Sequence, residues 1–200
     1  MKSEEVNKEL SLSYQELVAY LLDKYGPAKH DYFVNESCKT KSNKVSRTDE
    51  GLLCHHIDED KAIMLSDTKW AAQNPFEYQK ADRLVYCNVL EHLILHIKIF
   101  EEPKALGANL LEAQGIGGAV NFICPQINDY YNGFEFKRPY EQKIYGVIAD
   151  NFEEYIKILR YFLDVLYDKR PRFLDRVNEE TLATGFMDRH IIKKVYDRIA

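Results

Sequence analysis

A mostly helical α+β fold is what this 200-residue sequence predicts, from three observations. Helix-start signals occur in both halves: Ser13-Tyr14-Gln15-Glu16 is a capping box, and Asn151 with Glu154 forms a second capping pair. Two short strand-like runs, 51–57 and 62–65, flank the acidic turn Asp58-Glu59-Asp60-Lys61 and predict a hairpin. The longest apolar run, 84–100, is broken by Glu91, His92, His96 and Lys98, so it falls short of a membrane span and reads as a buried helix.

In chain order, the first capping box opens an amphipathic helix through Leu17, Val18, Leu21 and Leu22, closed by Gly26-Pro27. No helical period survives across 28–43, where a loop or edge strand is expected. The hairpin follows, and then 66–81 wanders, with Asn74-Pro75 inside it and a helical turn expected around 76–80. Pro103 stops the apolar helix. Gly107 and the Gly115-Ile116-Gly117-Gly118 cluster mark a long connection, which divides the chain into a region 1–106 and a helical region 107–200. These glycines lack the lysine and strand context of a phosphate loop, so turn chemistry is their expected role. Beyond them, Val120, Phe122, Ile123, Ile127 and Tyr130 predict a helix that Pro125 caps or kinks. A long amphipathic helix through Ile156, Leu159, Phe162, Leu163 and Leu166 comes next, then two short helices at 179–184 and 188–199.

Composition narrows the function classes. With 46% hydrophobic residues and a net charge of −5 from 27 basic and 32 acidic side chains, the chain should fold rather than remain disordered. An acidic balance argues against a protein that coats nucleic acid non-specifically, but leaves room for a locally basic groove. Acidic residues at Glu4 and Glu5, where a secretory signal would be basic and then apolar, point to a cytoplasmic protein with no membrane partner. Cys38, Cys54, Cys87 and Cys124 share no metal or redox spacing and are expected as small buried residues.

Four of the six histidines fall in two places, and this clustering carries the chemistry. His92 and His96 are four apart and therefore share one helical face, with Asn88 one turn earlier, on a helix otherwise made of Leu, Val and Ile. Imidazoles so spaced can converge on one divalent cation, and His55-His56 on the neighbouring strand can add to it. Strand alternation points that pair in different directions, so two roles fit better than two ligands. A metalloprotease HExxH motif is excluded, because Leu93 rather than Glu follows His92. Ahead of the hairpin, Lys39, Lys41, Lys44 and Arg47 gather without an intervening acid, as a solvated basic loop or a phosphate-contacting arm.

The order Leu53-Cys54-His55-His56-Ile57-Asp58, then a loop, then Asp82-Arg83-Leu84-Val85-Tyr86-Cys87-Asn88-Val89-Leu90-Glu91-His92-Leu93-Ile94-Leu95-His96 resembles the HNH (ββα-metal) endonucleases over about half of the chain. The resemblance implies a ββα-metal core, flanked here by an N-terminal helix and the helical C-terminal half. It implies metal ligation by His55, His92 and His96, His56 as general base, and one-metal hydrolysis of DNA or RNA phosphodiesters in a phage, mobile-element or defence setting. The ion would be magnesium, manganese, zinc or nickel. One position departs from the family: Arg83 stands where asparagine is common. Asp82 or Asn88 then takes over the task of fixing hairpin and base, or Arg83 contacts phosphate. The alternative function is a non-catalytic, metal-stabilised protein that binds a protein partner through its helical C-terminal half.

Overall fold

The computed structural model describes residues 2–102 and 114–200. The expected helix stop at Pro103, Gly107 and the division between 106 and 107 lie outside the described residues.

Two helices open the chain. α1 (Ser3–Ser11) was not signalled by the sequence pattern, because it is short and polar, but it buries Val6 and Leu10. α2 (Tyr14–Tyr25) forms as expected: Ser13 and Glu16 exchange capping hydrogen bonds, and Gly26 at φ 77° ends the helix. The strand β1 (Leu53–His56) follows an irregular stretch with short 3₁₀ turns at Asn43–Val45 and Thr48–Glu50.

The partner of β1 is not the expected segment 62–65. The acidic tract Ile57–Asp60 is a 3₁₀ turn, and Met64 takes a left-handed φ of 55°, which no strand accommodates. After the short helix α3 (Thr68–Ala71) and further 3₁₀ turns, the chain returns as β2 (Leu84–Cys87), antiparallel to β1 with His55 opposite Val85 and His56 opposite Leu84. The apolar run at 84–100 is thus a strand and then a helix. All four β2 residues are buried, so no alternation marks the change; Asn88 makes it, accepting from the amides of Leu90 and Glu91 to start α4 (Val89–Glu101). Order and pairing together give a ββα unit.

The second half is helical. A single turn α5 (Ile116–Gly118) runs into a widened π turn at Ala119–Ile123 and then α6 (Cys124–Tyr131). The widening precedes Pro125, whose ring and missing N–H would clash with and abandon the carbonyl four residues back in a regular helix. α7 (Pro139–Gly146) is an addition to the expected elements. α8 (Phe152–Lys169) starts at Asn151 without the side-chain capping bond expected there, and buries Tyr155, Ile156, Leu159, Phe162, Leu163 and Leu166. The last helices are shorter than expected, α9 (Glu179–Leu182) and α10 (Lys193–Ile199), joined through a bridge between Thr184 and Ile191.

One hydrophobic core joins residues from α1, α2 and α4 to residues from α6, α8 and α10. α4 lies in its middle, buried nearly all round. Even Lys98 is buried, its ammonium donating to the Leu10 carbonyl (2.6 Å), to Glu101 and to the Tyr161 hydroxyl. At the C-terminal end of α4, Arg170 donates to the carbonyls of Phe100 and Glu102. No described helix is long and apolar enough to cross a membrane.

Candidate metal centre

β1 and the first two turns of α4 bring His55, His92 and His96 together. Their ring centroids lie 4.8–5.3 Å apart, and one nitrogen from each lies within 4.8 Å of the others. His92 Nε2 and His96 Nε2 are 3.2 Å apart. Hydrogen bonds at the back of two rings fix which nitrogens face inward. The Tyr14 hydroxyl donates to the Ile57 carbonyl (2.8 Å), so toward His55 Nε2 (3.0 Å) it accepts; Nε2 carries the hydrogen and Nδ1 keeps its lone pair. His96 Nδ1 donates to the Gly115 carbonyl (3.2 Å), which leaves the His96 Nε2 lone pair facing His92.

Burial, reinforced by the neighbouring imidazoles, holds His55 and His92 well below 6.5, and burial lowers His96 to about 4 against the opposing Gly115 carbonyl. At neutral pH the three rings are therefore neutral, the form in which imidazole ligates metals. His55 Nδ1 is buried with no hydrogen-bond partner among the described residues. A buried lone pair with nothing to accept from, beside two more imidazole nitrogens, is a donor set that fits a divalent cation.

A residue the sequence pattern missed also stands here. Glu59, in the 3₁₀ turn after β1, places Oε2 3.3 Å from His96 Nε2 and 3.7 Å from His55 Nδ1. Burial raises its carboxyl to about 8. Within the acidic tract it looks like one more solvated turn residue, and only the tight 3₁₀ turn folds it back over the histidines.

The cluster opens on a cavity of about 500 Å³, with Glu59, His92 and His96 on its wall and Ile63, Met64 and Phe122 among its apolar lining. Among the described residues, no lysine or arginine lines it. The glycine cluster, expected as turn chemistry, has a second use at this wall. A Cβ on Gly118 would sit 2.5 Å from His96 Nδ1, and Gly115, at φ 83°, lies so close to the His96 carbonyl that a side chain there would strike backbone.

His56 points away from the three histidines, as strand alternation requires. It is fully buried against the Tyr32 ring, 4.4 Å between centroids, and does not line the cavity. Gln79 orients it: the Gln79 amide N–H donates to the Leu65 carbonyl (3.2 Å), so its oxygen faces His56 Nε2 (2.8 Å) and accepts from it. His56 Nδ1 is left with a lone pair and no hydrogen-bond partner, 3.9 Å from Glu59 Oε1. Burial, only partly offset by Gln79, lowers His56 to about 4.

The other candidates are engaged elsewhere. Arg83 grips Asp58 through Nε (2.7 Å) and Nη2 (2.5 Å), tying the turn after β1 to the start of β2. Asn88 spends its side-chain oxygen on the cap of α4. Arg47 pairs with Glu50, donates to the Tyr25 carbonyl (2.6 Å) and lies over the Tyr86 ring. Lys41 lies over Tyr32, on the His56 side of the strand, while Lys39 and Lys44 are exposed. A second carboxylate group, Glu5, Glu9 and Glu91, surrounds the Lys24 ammonium, which bonds Glu5 and Glu91 and so supplies its own cation.

A scan against protein-family models found no match, and searches of curated proteins and of solved structures found none.

Proposed function

We propose that the chain is a divalent-metal-dependent endonuclease of the HNH type, hydrolysing nucleic-acid phosphodiesters, with DNA the favoured substrate. The observation that carries this reading is the three-imidazole cluster on a ββα unit, with a further histidine next to the strand ligand whose Nδ1 lone pair is free. His55 Nδ1, His92 Nε2 and His96 Nε2 would hold the ion. When bound, it supplies positive charge against a phosphoryl oxygen and the departing oxygen. His56 Nδ1 takes the proton of the attacking water, Gln79 keeping the opposite nitrogen protonated so that the accepting atom faces the Glu59 side. Arg83 takes over the bracing of the two strands through Asp58, a task given to asparagine in the family this chain resembles. Lys39, Lys41 and Lys44, ahead of β1, contribute positive charge along the substrate backbone.

The test is cleavage of plasmid and single-stranded substrates with magnesium, manganese, zinc or nickel, against chelator and against His56→Ala. Metal-dependent cleavage that falls by about a hundredfold or more in His56→Ala supports the assignment. Undiminished cleavage in that variant removes His56 from the reaction.

The apolar side chains Ile63, Met64 and Phe122 in the lining of the cavity favour a second reading, a metal-stabilised protein that binds a protein partner. Tight metal binding by wild type, with no cleavage of any nucleic acid and no binding to it at low salt, would select it.

A further inference from the structure

Among the described residues, no lysine or arginine pairs with Glu59. Its neighbour Asp58 is neutralised by Arg83 and Lys61, whereas Glu59, 13% exposed, pairs among the described residues with imidazoles alone: His55, His56 and His96. Two of those imidazoles turn lone pairs, not N–H groups, toward it, because Tyr14 and the Gly115 carbonyl hold the hydrogens of His55 and His96 on the far side of each ring. An ionised carboxylate facing two nitrogen lone pairs at 3.3 and 3.7 Å is repulsive, and a proton on the carboxyl can satisfy only one of the two, whereas a cation between them satisfies both. Two of the separations match those of ligands around one ion, and the third, His55–Glu59, is a few tenths of an ångström longer. At metal–ligand bonds of about 2.0–2.1 Å, tetrahedral geometry separates neighbouring ligand atoms by about 3.3–3.4 Å. The His92–His96 separation is 3.2 Å and the His96–Glu59 separation 3.3 Å.

We propose that Glu59 is a fourth protein ligand of the metal centre, completing a three-histidine, one-carboxylate set. This rests on the metal-binding part of the function proposed above and not on nuclease activity. The carboxylate lowers the net charge of a divalent centre by one, which favours retention of the cation in a buried place. It also joins the turn after β1 to α4 through the ion. Because Glu59, His92 and His96 all line the cavity, a further ligand from that side would reach the ion by expansion to five-coordination or by movement of the carboxylate.

Cobalt(II) is the probe, since the intensity and position of its visible bands report ligand number and type. Wild type, Glu59→Gln and Glu59→Asp are titrated with cobalt(II) and competed with a chromophoric chelator, with circular dichroism as the check of folding. The expected result is an intense, tetrahedral-type spectrum for wild type. Glu59→Gln should bind at least about tenfold more weakly, with altered bands, and Glu59→Asp should recover part of the affinity. Glu59→Gln with wild-type affinity and an unchanged spectrum overturns the proposal. So does a wild-type protein that binds no cobalt(II), which would remove the metal centre altogether. Should Glu59→Gln fail to fold, a Glu59→Asp protein with weaker affinity and shifted bands supports carboxylate ligation, and one with wild-type affinity and an unchanged spectrum overturns it. Wild-type binding without cleavage of any nucleic acid would sink the nuclease reading and leave the ligand assignment standing.

Discussion

Tyr14 holds His55 from behind: its hydroxyl gives its hydrogen to the Ile57 carbonyl and accepts from His55 Nε2, so a residue on α2 decides which nitrogen of a strand histidine faces His92 and His96. Tyr14→Phe removes that decision without opening space for the ring to leave. Metal affinity should fall about 10–100-fold, the usual cost of losing an outer hydrogen bond to a ligating histidine, while the fold survives. Chelator competition measures it, and an unchanged affinity would show that the tautomer needs no such help.

Gly118→Ala should disturb the same centre from the opposite side. The added methyl would fall 2.5 Å from His96 Nδ1, pushing the ring off its Gly115 hydrogen bond. Alanine favours a helix over glycine by about 1 kcal/mol, so any helical gain opposes the steric loss. The expected outcome is weaker metal binding, about tenfold or more, with little change in helical content. Equal binding in a cobalt(II) titration would mean that the wall yields.

Gln79→Leu tests the orientation of His56. With the amide gone, the fully buried Nε2–H loses its acceptor, at a cost of about 1–3 kcal/mol in the native protein, and the hydrogen can move to Nδ1. Nitrogen-15 NMR should show Nε2 protonated in wild type and a mixed or reversed tautomer in the variant. Cleavage should fall with it while metal affinity holds. A wild-type spectrum with Nδ1 protonated would end the argument.

Glu9 supplies a pH dependence outside the histidine cluster. It is fully buried on α1, neither carboxylate oxygen has a hydrogen-bond partner, and Lys24 is 3.8 Å away. Burial first, then Glu91 nearby, raise its carboxyl above the ordinary 4.5, with Lys24 opposing. A raised carboxyl means that the native state binds more protons than the unfolded chain, so the stabilisation is complete below 4.5 and is lost as pH rises through the native value. Glu9→Gln should therefore leave stability near pH 4.5 almost unchanged and raise it at pH 8–9 relative to wild type. Urea unfolding at the two pH values gives the comparison; a variant that gains nothing at the higher pH would show that Glu9 is ionised and adequately paired.

The sequence exposed what local signals encode and concealed what distant segments create. The capping box at Ser13 and the i, i+4 pair His92 and His96 are local and survive as read. β2 was hidden because Leu84, Val85, Tyr86 and Cys87 are all buried, which erases the two-residue period and merges the strand with the helix after it. The segment 62–65 offered the composition of a strand but no partner. Glu59 was concealed by its acidic neighbours. The closeness of Gly118 to His96 depends on how α5 crosses α4, which no spacing in either segment announces. Arg83 could be noted as unusual, but its bond to Asp58 spans a 25-residue separation that pattern reasoning does not bridge.

The grip of Arg170 on the end of α4 bears on how the molecule is made. A chain emerging from the ribosome completes β1, β2 and the histidine helix long before it supplies Arg170 or the apolar face of α8. Until then α4 has its start capped by Asn88 and its end open, with one side of a nearly all-buried helix facing water. The imidazoles exist at that stage, and so do Tyr14 and Gly115 behind them, but the helix that carries two of the rings lacks its apolar partner α8. Ordering of α4 is thereby expected to wait for a late event in synthesis, and nascent chains truncated before α8 should hold the histidine cluster less firmly than the finished molecule.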